Sequence, residues 1–365
     1  MTDLGTTVDG IRFPNPFLLA SGPPGTNGKV IQRAFALGWG GVVCKTISLE
    51  SEKIENPSPR YGKLYARDGQ QVVGFENIEL ISDRPIDLWL DELAECKRRY
   101  PTHALVASIM EEYRKDRWVE IVERVQATGV DALELNLSCP HGLPERNMGQ
   151  AMGQSPEIVA EVVGWVKSAA RIPVWAKLTP NITHIAVPAK AAVAAGAEGI
   201  SAINTLLCVI GIDLETLRPM PTVAGFSEPG GYSGPAIRPI ALRQVMEVAR
   251  ACPRASVSGI GGIETARDAL QFLLVGAHTV QLCTAVMLHG YEIIGGLCDG
   301  LASFMDAHGF GSLEEVIGRS LGCFTTHADL VARQRDARRE KAGVNARDSR
   351  WKGDIVREAD TLAVN

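Results

Sequence analysis

The sequence predicts an α/β protein built as a closed (β/α)8 barrel of the TIM type, with an N-terminal hairpin, long βα-loop insertions and a charged C-terminal tail. Eight short, nearly uninterrupted apolar segments alternate with helical segments over about 290 residues, the pattern of a parallel sheet wrapped by helices and closed on itself. Polar residues gather at the C-terminal ends of those segments, where barrel enzymes build their sites. A doubly wound dinucleotide fold would place GxGxxG after its first strand, and none lies there.

Residues 6–13 (TTVDGIRF) read as two short strands around an Asp9-Gly10 turn. The first barrel strand is 17–21 (FLLAS), followed by a helix near 29–37 that Gly38, Gly40 and Gly41 close, and then the second strand, 42–46 (VVCKT). The stretch 47–103 is an insertion. Its centre, 56–59, is turn-rich and 87–99 has helical spacing, while Tyr61, Tyr65 and Phe75 argue against disorder and for a lid-like element. Strands at 104–109, 132–138, 174–179 and 199–204 alternate with helices near 114–128, 156–170 and 184–195. A long loop, 205–236, leads to a helix at 237–251, a strand at 255–260, a helix at 264–275, a strand at 279–284 and a last helix at 291–308. The barrel thus takes residues 1–312. Residues 313–365 hold a short helix and a charged run (RQRDARREK, 333–341) that do not make a domain of their own.

Composition narrows the function. The chain has 365 residues, 45% hydrophobic and 22% charged, with a net charge of −5, so the basic excess of a nucleic-acid binder is missing. The first residues carry no signal-peptide pattern and no apolar run nears the ~20 residues of a membrane span, which makes a cytoplasmic protein the expectation. Eight cysteines without a CxxC pair and seven histidines without HxxxH or HExxH spacing encode no zinc site, no iron–sulfur cluster and no other metal site.

The strand ends carry Ala20 and Ser21, Lys45 and Thr46, Asn136 and Ser138, Lys177 and Thr179, Asn204 and Thr205, Gly261 and Gly262, Cys283 and Thr284. A single lysine there reads as a solvated charge, but two lysines and two asparagines converge on one barrel mouth. In SGIGGIET (258–265) three glycines expose backbone N–H groups just before a helix start, which favours a phosphate over a mere packing turn. A phosphate clamp, two lysines and an apolar mouth suit flavin mononucleotide (FMN). Lys177 beside the flavin pyrimidine ring would stabilise the anionic reduced form, with Lys45 as a second cation. An asparagine offers the donor and acceptor pair that reads a planar amide or imide edge.

The segments NPFLLASGPP, GWGGVVCKT, FENIELIS, ASIM, LELNLSCPHG, GQSPEIV, AKLTPNIT, AINT, GYSGPAIRPIAL and GIGGIETARDALQFLLVGA, colinear over roughly 5–330, resemble the flavin domain of dihydropyrimidine dehydrogenases. That family lies within the class 1 dihydroorotate dehydrogenase-like barrels, and the resemblance is strongest to the separate flavin subunit of bacterial two-subunit enzymes. It implies FMN held by Ala20, Ser21, Lys45, Thr46, Asn136, Lys177, Asn204, Gly234, Gly261, Gly262, Cys283 and Thr284. A planar heterocycle would be read by Asn77, Asn136, Asn204 and Thr205, with hydride exchanged at C6 of the ring and a proton at C5. A homodimer or larger assembly is implied as well.

Two departures stand out. The family's acid/base cysteine is matched here to Met152, in NMGQAMGQSPE, whose thioether moves no proton; Cys139 follows the strand end directly and is not given that role. Residues 331–365 contain no cysteine, so no iron–sulfur cluster is expected in this chain and electrons would enter from a partner subunit or a diffusible reactant. The expected function is reduction or oxidation of the C5–C6 bond of a pyrimidine or similar cyclic amide. The alternatives are another FMN-barrel reaction (dihydroorotate oxidation or a flavin-dependent oxygenation), a non-redox barrel acting on a phosphorylated substrate, and a partner-binding subunit without turnover.

Overall fold

The computed structural model describes residues 2–139 and 149–339. A hairpin of β1 (Thr6–Val8) and β2 (Ile11–Phe13) precedes the first barrel strand, β3 (Phe17–Leu19), helix α1 (Gly28–Leu37) and strand β4 (Gly41–Val43). The first insertion supplies β5 (Tyr61–Tyr65), β6 (Val72–Asn77) and α2 (Ile86–Arg99). Then come β7 (Ala104–Ile109), α3 (Lys115–Gln126), β8 (Ala132–Asn136), the short α4 (Gln150–Gly153), α5 (Pro156–Ala169), β9 (Val174–Lys177), α6 (Ala186–Ala194) and β10 (Gly199–Ala202). The second insertion holds β11 (Leu206–Cys208), β12 (Gly211–Asp213), β13 (Arg218–Met220) and β14 (Gly230–Ser233). The barrel resumes with α7 (Arg238–Ala251), β15 (Ser256–Ile260), α8 (Ala266–Leu274), β16 (Thr279–Leu282), α9 (Thr284–His289) and α10 (Ile293–His308).

Eight strands close the barrel in the order β10-β15-β16-β3-β4-β7-β8-β9. The expected (β/α)8 fold is therefore the observed one; six of its strands stop two or three residues earlier than expected, while β7 and β15 end where expected. Local chemistry explains the helix limits. Asn27 caps α1 by accepting from the backbone N–H of Lys29 and Val30, and Gly38 ends it in the left-handed region at φ 96°. Thr265 and Asp268 form a reciprocal capping box at the start of α8.

The hairpin plugs the N-terminal end of the barrel. Phe13 stacks on Trp175 at 6.4 Å, and Asp9 accepts hydrogen bonds from Trp175 Nε1 at 2.7 Å and Ser256 Oγ at 2.6 Å.

The two insertions, expected as a lid-like element and a loop, join in one antiparallel sheet of order β11-β14-β6-β5. Glu76 clasps it: this buried carboxylate accepts from Gly230 N at 2.9 Å, Ile210 N at 3.2 Å and Cys208 Sγ at 3.4 Å. Burial pushes the Glu76 carboxyl above the usual range, against the pull of those donors.

The chain divides into two compact units, Met1–Leu321 and Gly322–Asn365. Residues 313–321 lie in the first, where Ser320 N bonds to Leu274 O at 3.0 Å. The described part of the second is the charged helix α11 (His327–Arg339) with its approach. Among the described residues, no helix is long and apolar enough to cross a membrane.

Candidate active site

A cleft of about 1120 Å³, its open mouth included, lies at the C-terminal ends of the barrel strands. The barrel forms one side, and Tyr61, Phe75, Asn77 and Tyr232 of the accessory sheet form the other. Ala20, Ser21, Lys45, Thr46, Asn77, Asn136, Lys177, Asn204, Thr205, Gly234, Gly261, Gly262, Cys283 and Thr284 all line it.

Met152 does not. Its side chain is fully buried in the main hydrophobic core. Gly153 beside it packs against the end of β8, where an added Cβ would lie 1.9 Å from Leu137 O. Cys139, passed over in the sequence, lines the cleft instead, packed with Ile81 and Met110. The loop residues 140–148 lie outside the described residues.

Past the strand ends the backbone stays anchored. Cys44 N bonds to Val106 O at 3.0 Å and Lys45 N to Gly25 O at 2.9 Å, fixing Lys45 at the rim. Its Nζ is committed to Glu79 Oε1 at 2.6 Å. Glu79 also accepts from the Tyr61 hydroxyl, and Arg60 stands 3.8 Å from it. Burial and the bond to Glu79 raise the Tyr61 phenol well above its ordinary value, so it stays a donor. Glu79 and Tyr61 were missed in the sequence, although FENIELIS contains the acid two residues after Asn77.

Thr46 Oγ1 is the hub of a polar cluster. It lies 3.1 Å from Ser21 Oγ and 2.8 Å from Ser108 Oγ, and accepts from Asn136 Nδ2 at 3.0 Å. Asn136 Oδ1 accepts from Ser138 Oγ at 3.0 Å, while Asn204 Nδ2 donates to Ser138 Oγ at 2.9 Å. Asn77 is steadied by one bond from its Nδ2 to Gly231 O at 3.2 Å. The asparagines are thus fixed in orientation before any ligand arrives.

Lys177 differs from Lys45. It is 4% exposed, and its Nζ makes no hydrogen bond to a described residue; its partner, the buried Glu134, is 3.7 Å away. At the far end of the cleft Gly234, Gly261 and Gly262 have φ of 91°, 132° and 73°, conformations that favour glycine. A Cβ on Gly262 would meet Gly234 O at 2.8 Å and Arg238 N at 3.0 Å, so the accessory insertion and the barrel turn touch there. Ser233 Oγ and Thr284 Oγ1 share a hydrogen bond at 2.9 Å beside them. A bare-backbone cradle at one end and an ammonium with unengaged donors at the other fit a flat ring bearing an anionic tail.

Between the lysines, burial pushes the Cys283 thiol up to about 11, with Lys45 and Lys177 pulling it back, so it remains a neutral thiol at pH 7. Burial likewise raises Glu264, which lines the cleft next to the glycines with His289 3.7 Å away. Among the described residues, no cluster of three or more His, Cys, Asp or Glu side chains offers a metal site.

Residues 3–305 match the family pattern of dihydroorotate dehydrogenase. The chain is 51% identical to the chloroplastic dihydropyrimidine dehydrogenase (NADP(+)) of Arabidopsis thaliana, over 100% of this chain and 88% of that protein. It is 42% identical to the NAD-dependent dihydropyrimidine dehydrogenase subunit PreA of Escherichia coli (strain K12), over 87% of this chain and 76% of the relative. The catalytic subunit of dihydroorotate dehydrogenase B (NAD(+)) from Pyrococcus abyssi is 39% identical over 87% of this chain and 99% of its own. A crystal structure of DHODH from Eimeria tenella in complex with ferulenol shares the fold with a TM-score of 0.73 at 22% identity, covering 87% of this chain and 88% of that one.

Proposed function

The chain belongs to the dihydroorotate dehydrogenase family of oxidoreductases, and from that premise we propose that it is an FMN-dependent enzyme acting across the C5–C6 bond of an uncharged pyrimidine such as uracil or thymine and their dihydro forms. The observation that carries this reading is the division of charge in the cleft. Lys45 and Lys177 are the only cations among the described residues that line it, and each already faces a carboxylate, Glu79 and Glu134. Among the described lining residues the charge of each cation is thus balanced by a carboxylate, while Asn77, Asn136 and Asn204 supply amide donors and acceptors for a neutral ring.

FMN, when bound, supplies hydride acceptance and donation. Gly234, Gly261, Gly262, Cys283 and Thr284 would hold its phosphate end, and Ala20, Ser21, Lys45, Thr46, Asn136, Lys177 and Asn204 the rest. Lys177 directs unengaged ammonium donors at whatever acceptor occupies the adjacent floor. Asn77, Asn136, Asn204 and Thr205 orient the pyrimidine, and Tyr61, Phe75 and Tyr232 exclude water from its open side. Cys139 moves the proton at C5, a role supported by its place on the cleft wall and by the burial of Met152. A separate electron-transfer subunit would complete the cycle, an arrangement supported by the Escherichia coli relative being itself a subunit.

A second reading, oxidation of a carboxylate-bearing ring such as dihydroorotate, has Arg60 in its favour, standing 3.8 Å from Glu79 near the rim. Anaerobic mixing of the oxidised, FMN-loaded protein with 5,6-dihydrouracil or dihydroorotate separates the two. Bleaching of the flavin band by dihydrouracil alone is expected. Bleaching by dihydroorotate alone would establish the second reading, and a protein that takes up no FMN would sink both.

A further inference from the structure

Beneath the cleft floor lies a carboxylate that the proposed chemistry does not use. Glu134 sits on β8 two residues before Asn136, so both side chains point to the same face of the strand, with Asn136 aligned on Lys177. Glu134 is fully buried. Its Oε2 accepts from Gln281 Nε2 at 2.9 Å. Gln281 comes from β16, four strands away in either direction around the barrel, and also donates to Ser258 Oγ at 3.1 Å and Ser201 Oγ at 3.4 Å. Among the described residues Glu134 Oε1 has no hydrogen-bond partner, and it faces Lys177 Nζ at 3.7 Å, beyond hydrogen-bond reach.

A buried carboxylate with one oxygen unbonded is unfavourable unless a charge offsets it. A glutamine of the same shape would fill the space and keep the contact with Gln281. What glutamate adds here is its charge, and the facing ammonium is the group that feels it.

We propose that Glu134 is a positioning residue: anchored across the barrel by Gln281, it compensates the Lys177 ammonium from below, so that Lys177 keeps its donors turned to the cleft without imposing a full unit of positive charge on the ring bound there. The proposal rests on the reading of the cleft as a flavin site. An uncompensated ammonium would trap electrons on the cofactor by stabilising its reduced, more negative form. Compensation leaves the cofactor able to pass them on.

The test is the two-electron midpoint potential of the FMN-loaded protein and of its Glu134→Gln variant. Removing the compensating charge should move the oxidised-to-reduced equilibrium at least tenfold toward the reduced form, a rise of about 30 mV. Glu134→Asp, which restores the charge, should recover most of that shift. Glu134→Ala, which removes the charge while leaving room for water, is the second variant should the amide not fold, and it should shift the potential in the same direction. An unchanged or lower potential on charge removal overturns the proposal, as does an aspartate variant that behaves like glutamine. A wild-type protein that fails to quench FMN fluorescence overturns the reading of the cleft and this proposal with it, whereas a yellow variant whose potential matches wild type overturns this proposal alone.

Discussion

Lys45 and Lys177 enter the same cleft from two strands of one barrel, yet different regions hold them. Lys45 is hydrogen-bonded at 2.6 Å to Glu79, which follows accessory strand β6. Lys177 faces Glu134, a residue of the barrel interior, across 3.7 Å without a hydrogen bond. The first insertion therefore engages one donor of Lys45, whereas Lys177 makes no hydrogen bond to a described residue. The difference teaches a division of labour: the barrel interior sets the charge on the cleft floor, while the insertions set the shape and polarity of the opposite wall.

Stability breaks the comparison most sharply. Trp175 is 1% exposed, stacked on Phe13 and bonded to Asp9, so Trp175→Ala should cost about 3–5 kcal/mol of unfolding free energy. Phe226, in the accessory insertion, is 79% exposed, and Phe226→Ala should stay within about 0.5 kcal/mol. Denaturant titration checks both, and equal costs would mean that the insertion carries core-like packing. Turnover gives the next largest effect. Lys177→Met should lower kcat by about 10²–10³-fold, the worth of a preorganised charge. Lys45→Met should stay within about tenfold, the worth of one ordinary hydrogen bond. Steady-state rates that fall equally would abolish the distinction between the two lysines.

The smallest expected effect is a pH dependence of the sheet's clasp. The carboxyl of Glu76 is raised in the fold, so the folded state binds its proton more tightly than the unfolded chain does. Its contribution is therefore fully present below the unfolded carboxylate value, about 4.3, and is lost as pH rises through the higher folded value. Glu76→Gln should flatten that part of the profile. Guanidinium midpoints at pH 5 and 7.5 measure it, and parallel profiles for the two proteins would remove Glu76 from the account.

The same two regions differ in how far their residues announce them. Barrel strands such as ALVASI and VWAK are buried on both faces and read as continuous apolar runs, so their order and the polar residues at their ends were legible. Strands β11, β12 and β13 are three residues each, half-exposed, and one contains a proline, which leaves no periodicity to find. Strands β12 and β13 pair only with each other, and β11 finds its partner β14 more than twenty residues on. Glu79 and Tyr61 likewise gave no sign that they meet Lys45, because the pairing of β5 with β6 that sets Tyr61 beside Asn77 leaves no periodic signal in the first insertion. Position 152 marks a limit of motif matching, which says which residue follows which but not that the Met152 side chain is buried.

The pairing of β6 with β14 joins Asn77 to Gly231, 154 residues apart. Closing so long a loop is costly before the intervening strands are in place, so the accessory sheet is expected to form with the barrel rather than ahead of it. A chain still being synthesised has made β6 long before β14 exists, and during that interval β6 offers an unpaired edge beside an unfinished barrel. The accessory side of the cleft therefore needs both insertions, which ties a complete cleft to the whole barrel rather than to any early fragment of it.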